Sequence, residues 1–300
     1  MKQILTTALA VALVMTASVF TTSCSNDSDD ALASGSFAAG DGSTVAITFA
    51  VQGDFTLSTA PVTRAALTAD GRDMTDLWCL DYVGGVLQQT IHQTSDMDDF
   101  GQPTVALTLG AHHLYFIASR GTSPTLNTEA HTLSFAKVLD TFYKHYELTI
   151  TAGTSSGSRA VTLDRVVTRL KLVFSDAVPS DAATINFTPH TWHYGWDYIA
   201  AAPADTKTDQ TVVLSIPTSE LGKTGLQANL YGFSSTTEWT TDIDINSKRA
   251  DETIIGQAAI TDAPFMANRS SDYTGRLFTD GGGWTMSLNA DWTAAHEGSW

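Results

Sequence analysis

Apolar and polar residues alternate along much of the chain after residue 43. In "TVAITFAV" the apolar residues Val45, Ile47, Phe49 and Val51 fall on every second position. A period of two places successive side chains on opposite faces of an extended chain, so such a run predicts a β-strand with one buried face. The same period recurs at 105–109, 146–150, 170–174, 212–216 and 226–230. Short alternating runs separated by Gly, Ser, Asp and Pro predict a mostly β fold of the sandwich or barrel class.

Two further features organise this pattern. The segment "SFAKVLDTFYKH", residues 134–145, is the best candidate for a helix, and it would be short. The segment "TAGTSSGSR", residues 151–159, is rich in small polar residues and precedes a new series of alternating runs. We therefore expect an N-terminal β-sandwich over 44–157 and a C-terminal β-sandwich over 158–300, each close to the usual size of one domain.

The first residues have the features of an export signal. Lys2 is followed by an apolar run and then by the small residues of "TTSC", which predicts a signal peptide over 1–23. Cys24 occupies the position at which a bacterial lipoprotein carries its lipid, so we expect palmitate and related acyl chains there. Residues 24–43 are small, polar and acidic, and they predict a flexible tether.

Composition excludes several functions. Asp and Glu number 32 against 16 Lys and Arg, a formal charge of −16, so binding to nucleic acid is disfavoured. The sequence contains no phosphate-binding glycine motif, no nucleophile elbow and no paired zinc histidines, so we expect neither an enzyme nor a cofactor. His190 and His193 would lie on opposite faces of a strand, and we expect no metal site from them.

The segment "HTWHYGWDYIA" is unusually rich in aromatic residues. Trp192, Tyr194 and Trp196 would share one face of a strand. Aromatic rings on a surface can stack on sugars, which makes a glycan-binding platform one hypothesis. The alternative is that these rings fill the core.

Basic residues are absent over a long stretch before Arg64. No Lys or Arg occurs from position 3 to position 63. Arg64 is therefore the first target that a trypsin-like protease would meet after the leader. The alternative explanation is that an acidic protein is simply poor in basic residues here.

These features together resemble the fimbrillins, the pilus subunits and fimbrial anchor or tip proteins of Bacteroidetes. The resemblance rests on the lipoprotein signal and on four segments: "VTRAAL", "MTDLWCLDYVGGVLQQ", "LTLGAHHLYFIASRG" and "VTLDRVVTRLKLVFSDAVPSDAATINF". It implies two tandem transthyretin-like β-sandwiches on a surface-exposed lipoprotein of the outer membrane. It also implies that an arginine-specific protease cuts after Arg64 and releases the strand that carries Val45, Ile47, Phe49 and Val51. A strand from a neighbouring subunit then fills the groove.

A candidate for the donated strand lies at the other end of the chain. The segment "GGGWTMSLNADW" alternates without interruption after its glycines. Its apolar face would consist of Trp284, Met286, Leu288, Ala290 and Trp292. The resemblance makes residues 284–292 a possible donor strand, and the alternative is an ordinary last strand of the C-terminal sandwich.

The sequence thus predicts a structural, non-enzymatic subunit of a cell-surface fimbria that takes part in adhesion. It would bind other fimbrial subunits by β-strand addition. It would be attached to the outer membrane through the lipid on Cys24, and it would contact ligands on host or bacterial surfaces. A surface glycan-binding lipoprotein is the alternative. Whether the subunit would serve as stalk, tip or anchor stays open.

Overall fold

The computed structural model describes residues 44–53, 74–120, 124–279 and 284–289. Strands dominate this part of the chain, and it contains no α-helix. The strands up to residue 165 are β1 (Val45–Gly53), β2 (Asp76–Val83), β3 (Val86–Thr94), β4 (Thr104–Leu107), β5 (Gly110–Ser119), β6 (Thr125–Asn127), β7 (Thr132–Ser134), β8 (Thr141–Ile150) and β9 (Gly157–Arg165). The mostly β fold class predicted from the alternation is confirmed.

The remaining strands follow in the second half of the chain. They are β10 (Val167–Phe174), β11 (Ala182–Pro189), β12 (Trp192–Asp197), β13 (Ala202–Lys207), β14 (Val212–Ser215), β15 (Leu226–Phe233), β16 (Trp239–Arg249), β17 (Ile254–Phe265), β18 (Ser270–Gly275) and β19 (Thr285–Asn289). A short 3₁₀ helix, Thr218–Glu220, precedes β15.

The N-terminal part is a seven-stranded sheet that folds over on itself. Its strand order is β3-β2-β5-β8-β9-β1-β4. The ladder between β8 and β9 is short, at Phe142–Arg165 and Tyr143–Asp164. The strands on either side of this corner contribute to a common apolar core, which includes Phe49 of β1 and Phe116 of β5. The arrangement is therefore a β-sandwich with a corner at β8 and β9.

The turn between β2 and β3 shows how the local sequence sets the strand register. Gly84 and Gly85 connect the two strands, and both have positive φ angles, 56° and 80°. A two-residue hairpin turn of this kind needs positive φ at both positions, which glycine adopts without a steric penalty. The turn pairs Val83 directly with Val86.

Two four-stranded sheets form the C-terminal part. Their orders are β15-β10-β18-β19 and β14-β11-β16-β17. Alternating residues from both sheets, such as Leu172 of β10 and Ile245 of β16, belong to a second apolar core. Two sheets with a shared apolar core correspond to the second sandwich that the sequence predicts.

A fourth sheet, also of four strands, joins segments from both halves of the chain. Its order is β13-β12-β7-β6, so strands from residues 125–134 pair with strands from residues 192–207. Beside it, the hydroxyl groups of Tyr82 and Tyr198 are 2.8 Å apart, and the Tyr143 hydroxyl donates to the Tyr198 carbonyl oxygen at 2.7 Å. We refer to Tyr82, Tyr115, Tyr143 and Tyr198 as the tyrosine cluster.

The structure differs from the expected elements at one segment. Residues 134–145 do not form the expected helix, because Thr141 onward belongs to β8, which pairs along its length with β5. Phe135 and Val138 belong to the C-terminal apolar core, and Phe142 belongs to the N-terminal one. No helix among the described residues has the length and apolar character needed to span a membrane.

The domain boundary predicted at 157/158 falls at the start of a strand. β9 begins at Gly157 and pairs in parallel with β1 as far as Gly53 and Leu163. Its end also pairs with β8. We therefore propose that the N-terminal domain extends to Arg165.

Candidate functional site

The strand predicted to be removable, β1, lies inside the N-terminal sheet. On one side it pairs antiparallel with β4, from Val45–Leu107 to Thr48–Thr104. On the other side it pairs in parallel with β9, from Ile47–Gly157 onward. Further backbone bonds extend the antiparallel side, including one of 2.9 Å from the Phe49 amide to the Pro103 carbonyl. Both edges of β1 are therefore bonded to the sheet.

The buried face of β1 is the face that the alternation predicts. Ile47, Phe49 and Val51 are at most 1% exposed, while Val45 is half-buried. The Phe49 ring lies 5.1 Å from the Phe116 ring and 5.6 Å from the Tyr146 ring, centroid to centroid. Three side chains of β1 thus form a continuous part of the N-terminal core.

The two covalent sites predicted in the N-terminal region lie outside the described residues. These are Cys24, the expected lipid attachment point, and Arg64, the expected cleavage point. The described chain resumes with Met74, which is buried, and continues into β2. Lipidation and cleavage therefore remain predictions.

Cys79 of β2 lies in the same apolar core as β1. Its side chain is 2% exposed and forms no disulfide. Burial, with a smaller contribution from Asp81, raises the pKa of the Cys79 thiol well above its usual value. Since the thiolate is the reactive form, Cys79 is expected to be inert while the core is closed.

The strand at the other end of the chain, β19, occupies a different position. It pairs antiparallel with β18 alone, from Thr274–Thr285 to Ser270–Asn289, and forms the edge of its sheet. Of the predicted donor residues, Ala290 and Trp292 lie outside the described part. The backbone at Leu288 belongs to β19. The segment is thus paired within its own C-terminal sheet in this structure.

Trp284, just before β19, is the anchor of this segment. Its ring packs edge-on against Phe174 at 5.7 Å. It also lies directly over Gly275, where a Cβ atom would be 2.4 Å from the Trp284 ring. On another side the ring lines a cavity of about 500 Å³ together with Ile255 of β17 and Phe278. Gly275 is therefore required for this close approach.

Met286 does not share the environment of Trp284. Its side chain is 46% exposed, and its neighbours Thr285 and Ser287 are also exposed. The apolar face that the alternation predicts for this segment is therefore not buried at Met286 in this structure. As an edge strand, β19 places this side chain beyond the apolar core.

The aromatic platform predicted at β12 is not on the surface. Trp192, Tyr194 and Trp196 do share one face of the strand, but each is at most 6% exposed. The Trp192 indole N–H donates to the Tyr231 carbonyl oxygen at 2.9 Å, and its ring packs edge-on against Phe265 at 5.0 Å. A sugar ring could not stack on these faces without opening the core. The structure supports the alternative, in which the rings fill the core.

No protein-family model and no curated protein sequence matches this chain. Solved structures do match it. A proposed adhesin from Bacteroides ovatus aligns with a TM-score of 0.51 and 10% identity, covering 82% of this chain and 96% of that one. The fimbrial anchor protein Mfa2 from Porphyromonas gingivalis aligns with a TM-score of 0.50 and 7% identity, covering 82% of this chain and 98% of that one. At these identities the likeness establishes a shared fold, which agrees with the fold that the sequence resemblance implies.

Proposed function

We propose that this chain is a non-enzymatic structural subunit of a cell-surface fimbria with a role in adhesion. In this proposal it travels to the outer membrane as a lipoprotein carrying acyl chains on Cys24. The fold shared with a fimbrial anchor protein and a proposed adhesin supports this assignment. The acidic composition and the absence of catalytic sequence motifs are consistent with it.

We further propose that the subunit assembles by strand exchange at the position of β1. The observation that carries this proposal is that β1 is bonded on both edges, between β4 and β9. Its loss would leave two strand edges facing one another across a gap one strand wide. A strand from a neighbouring subunit could fill that gap with a ladder on each side.

The apolar side chains of β1 provide the driving force for refilling the gap. Ile47, Phe49 and Val51 are almost completely buried in the N-terminal core. Burial of a large apolar side chain contributes roughly 1.5–3 kcal/mol, so an empty groove would be costly to leave open to water. The strand that replaces β1 needs apolar residues on alternate positions, as in the predicted donor segment 284–292.

Cleavage after Arg64 would make β1 removable, because it would separate the strand from β2. We expect an arginine-specific protease to produce one early cut there and to convert the protein slowly into oligomers that resist dissociation. The Arg64→Gln variant should stay uncut and monomeric, whereas the Arg72→Gln variant should behave like the parent chain. Scattered cuts at Arg120 and Arg159 with a product that stays monomeric would contradict the proposal.

The reactivity of the Cys79 thiol can show whether the groove left by β1 is open or filled. The sequence contains two cysteines, so in a Cys24→Ser chain Cys79 is the one remaining thiol. We expect slow reaction with a thiol reagent in the intact chain, fast reaction after cleavage, and slow reaction again in the oligomers. Fast labelling before cleavage would show that β1 does not seal the core.

A further inference from the structure

Three potential metal-binding side chains meet on the outer surface of the N-terminal sheet. They are His113 of β5 and His145 and Glu147 of β8. Their nearest ligand atoms all lie within 4.8 Å of one another. We call this group the His-His-Glu cluster. None of its residues lies on β1 or β19, the two strands of the proposed exchange.

The register between β5 and β8 brings the cluster together. His113 pairs directly with Glu147, and Tyr115 pairs directly with His145. Residues two positions apart on a strand share a face, so His113 and His145 are diagonal neighbours on the same surface. The intervening Leu114 and Phe116 point into the N-terminal core. A shift of one residue in this register would separate the three side chains.

The distances within the cluster suit a transition-metal ion. His113 Nδ1 lies 3.0 Å from His145 Nε2 and 3.6 Å from Glu147 Oε1, and His145 Nε2 lies 3.9 Å from Glu147 Oε1. These three separations average 3.5 Å. A tetrahedral zinc ion with bonds of about 2.0–2.1 Å holds its ligand atoms roughly 3.3–3.4 Å apart, so small side-chain adjustments would bring the three atoms to bonding distance.

Aromatic contacts position the two histidines. The His145 ring stacks on the Tyr115 ring, with centroids 4.7 Å apart and planes 10° from parallel. Tyr115 in turn is buried in the tyrosine cluster, where it contacts Tyr82 and Tyr198 edge-on or at a tilt. The His113 ring lies beside His145, with centroids 5.2 Å apart and planes 22° from parallel, and His113 Nδ1 is within hydrogen-bond distance of His145 Nε2.

The three side chains of the cluster are of types that bind divalent metal ions. A neutral imidazole presents a lone pair to a metal ion, whereas a protonated one does not. Glu147 would supply a negative charge to the same ion.

We propose that the His-His-Glu cluster binds a divalent transition-metal ion of the zinc class. Two imidazoles and one carboxylate are a common zinc ligand set. Calcium and magnesium prefer oxygen ligands, so a site with two imidazole nitrogens disfavours them. His113 and His145 are 42% and 34% exposed, so the remaining coordination position faces solvent and takes a water molecule. The ion would link β5 to β8 on the outer surface of the sheet.

Zinc binding to the untagged, chelator-treated chain tests this site by titration calorimetry. We expect one zinc ion per chain. The His113→Ala and His145→Ala variants should each weaken zinc binding by about tenfold or more, since even the loss of groups that merely support a ligand costs 10–100-fold. The His190→Ala variant is the matched control, because His190 is an exposed histidine 3.2 Å from Asp244 with no second histidine in its ion pair. It should bind zinc as the parent chain does.

Glu147→Gln keeps the shape of the side chain and removes its charge, so it tests the third ligand without disturbing the sheet. We expect weaker zinc binding with an unchanged far-ultraviolet circular dichroism spectrum. Cobalt(II) bound to the parent chain should give visible absorption bands, and the His113→Ala/His145→Ala double variant should lack them. Zinc binding of equal strength in the double variant, or no zinc binding by the parent chain, would overturn the proposal and leave the two rings as a histidine–histidine hydrogen bond.

Discussion

The strands β1 and β19 have similar alternating sequences and opposite structural roles. β1 is bonded on both edges, and its side chains Ile47, Phe49 and Val51 are fully buried. β19 is bonded on one edge, and Met286 is nearly half exposed. A period of two therefore identifies a strand, but it does not tell whether the strand lies within a sheet or at its edge.

This difference bears on which strand can leave and which can be donated. Removal of β1 breaks two ladders and opens the N-terminal core, so the intact chain holds it firmly and the cut chain needs a replacement. Removal of β19 breaks one ladder and, among the described side chains, separates Trp284 from Phe174 and Gly275. An edge strand that costs little to release is suited to join another sheet, and an interior strand leaves a gap that another strand can fill.

The largest effect is expected from truncating the buried face of β1. Phe49→Ala should lower the free energy of unfolding by about 3–5 kcal/mol, because it removes a fully buried ring that packs on Phe116. Thr48→Ala is the control on the opposite face, where the hydroxyl bonds to that of Thr104 at 2.8 Å. It should cost no more than about 1 kcal/mol in the same urea titration. Equal losses in the two variants would mean that β1 is not a core strand.

A smaller effect is expected at the close contact beneath Trp284. Gly275→Ala would place a methyl group within 2.4 Å of the Trp284 ring, so we expect a loss of about 1–3 kcal/mol from overpacking. Gly153→Ala is the control, because a methyl group there meets no atom within 4 Å. Urea unfolding measures both changes.

The double variant Gly275→Ala/Trp284→Ala sharpens this measurement. If the two residues are coupled by their contact, the loss in the double variant should be smaller than the sum of the single losses. Additive losses would indicate that Trp284 does not rest on Gly275, and the anchor of β19 would then lie elsewhere.

The sequence predicted the strands better than it predicted their surroundings. Alternation identified β1 because an apolar residue on every second position has one structural explanation, a half-buried strand. Around Phe135 and Phe142 the apolar spacing fits a helix as well, and the pairing of β8 with β5 decided the outcome. Short-range pattern cannot reveal a pairing partner that lies about thirty residues away along the chain.

The same reason explains what was missed at the His-His-Glu cluster. His113 appeared in the sequence as one of two adjacent histidines, His112 and His113, which point to opposite faces of β5. His112 is buried, with Nδ1 2.8 Å from Asp81 Oδ1. The cluster instead joins His113 to His145, and only the strand register makes them neighbours. At β12 the aromatic residues share one face as predicted, but the alternation could not tell whether that face is exposed, as a glycan platform requires, or buried, as in the structure.

The smallest effect on stability, and the sharpest test of donation, is expected at Met286. Met286→Asp should change the free energy of unfolding by no more than about 0.5 kcal/mol, because this side chain is 46% exposed in the monomer. In a neighbouring subunit's groove the same position would be buried, and an unpaired carboxylate there would be strongly unfavourable. We therefore expect the variant to be cut normally after Arg64 and to form few oligomers, as measured by size-exclusion chromatography.

Ser287→Asp is the matched control for this prediction. It adds the same charge to the adjacent exposed position, whose side chain points to the opposite face of the strand. Oligomers should form normally in this variant, because the face that carries Ser287 would lie outside the filled groove. If both variants assemble equally well, β19 remains an edge strand of its own sheet and the donor must lie in another segment. A residue that is dispensable to the monomer and essential to the oligomer identifies a donor strand, since only donation buries it.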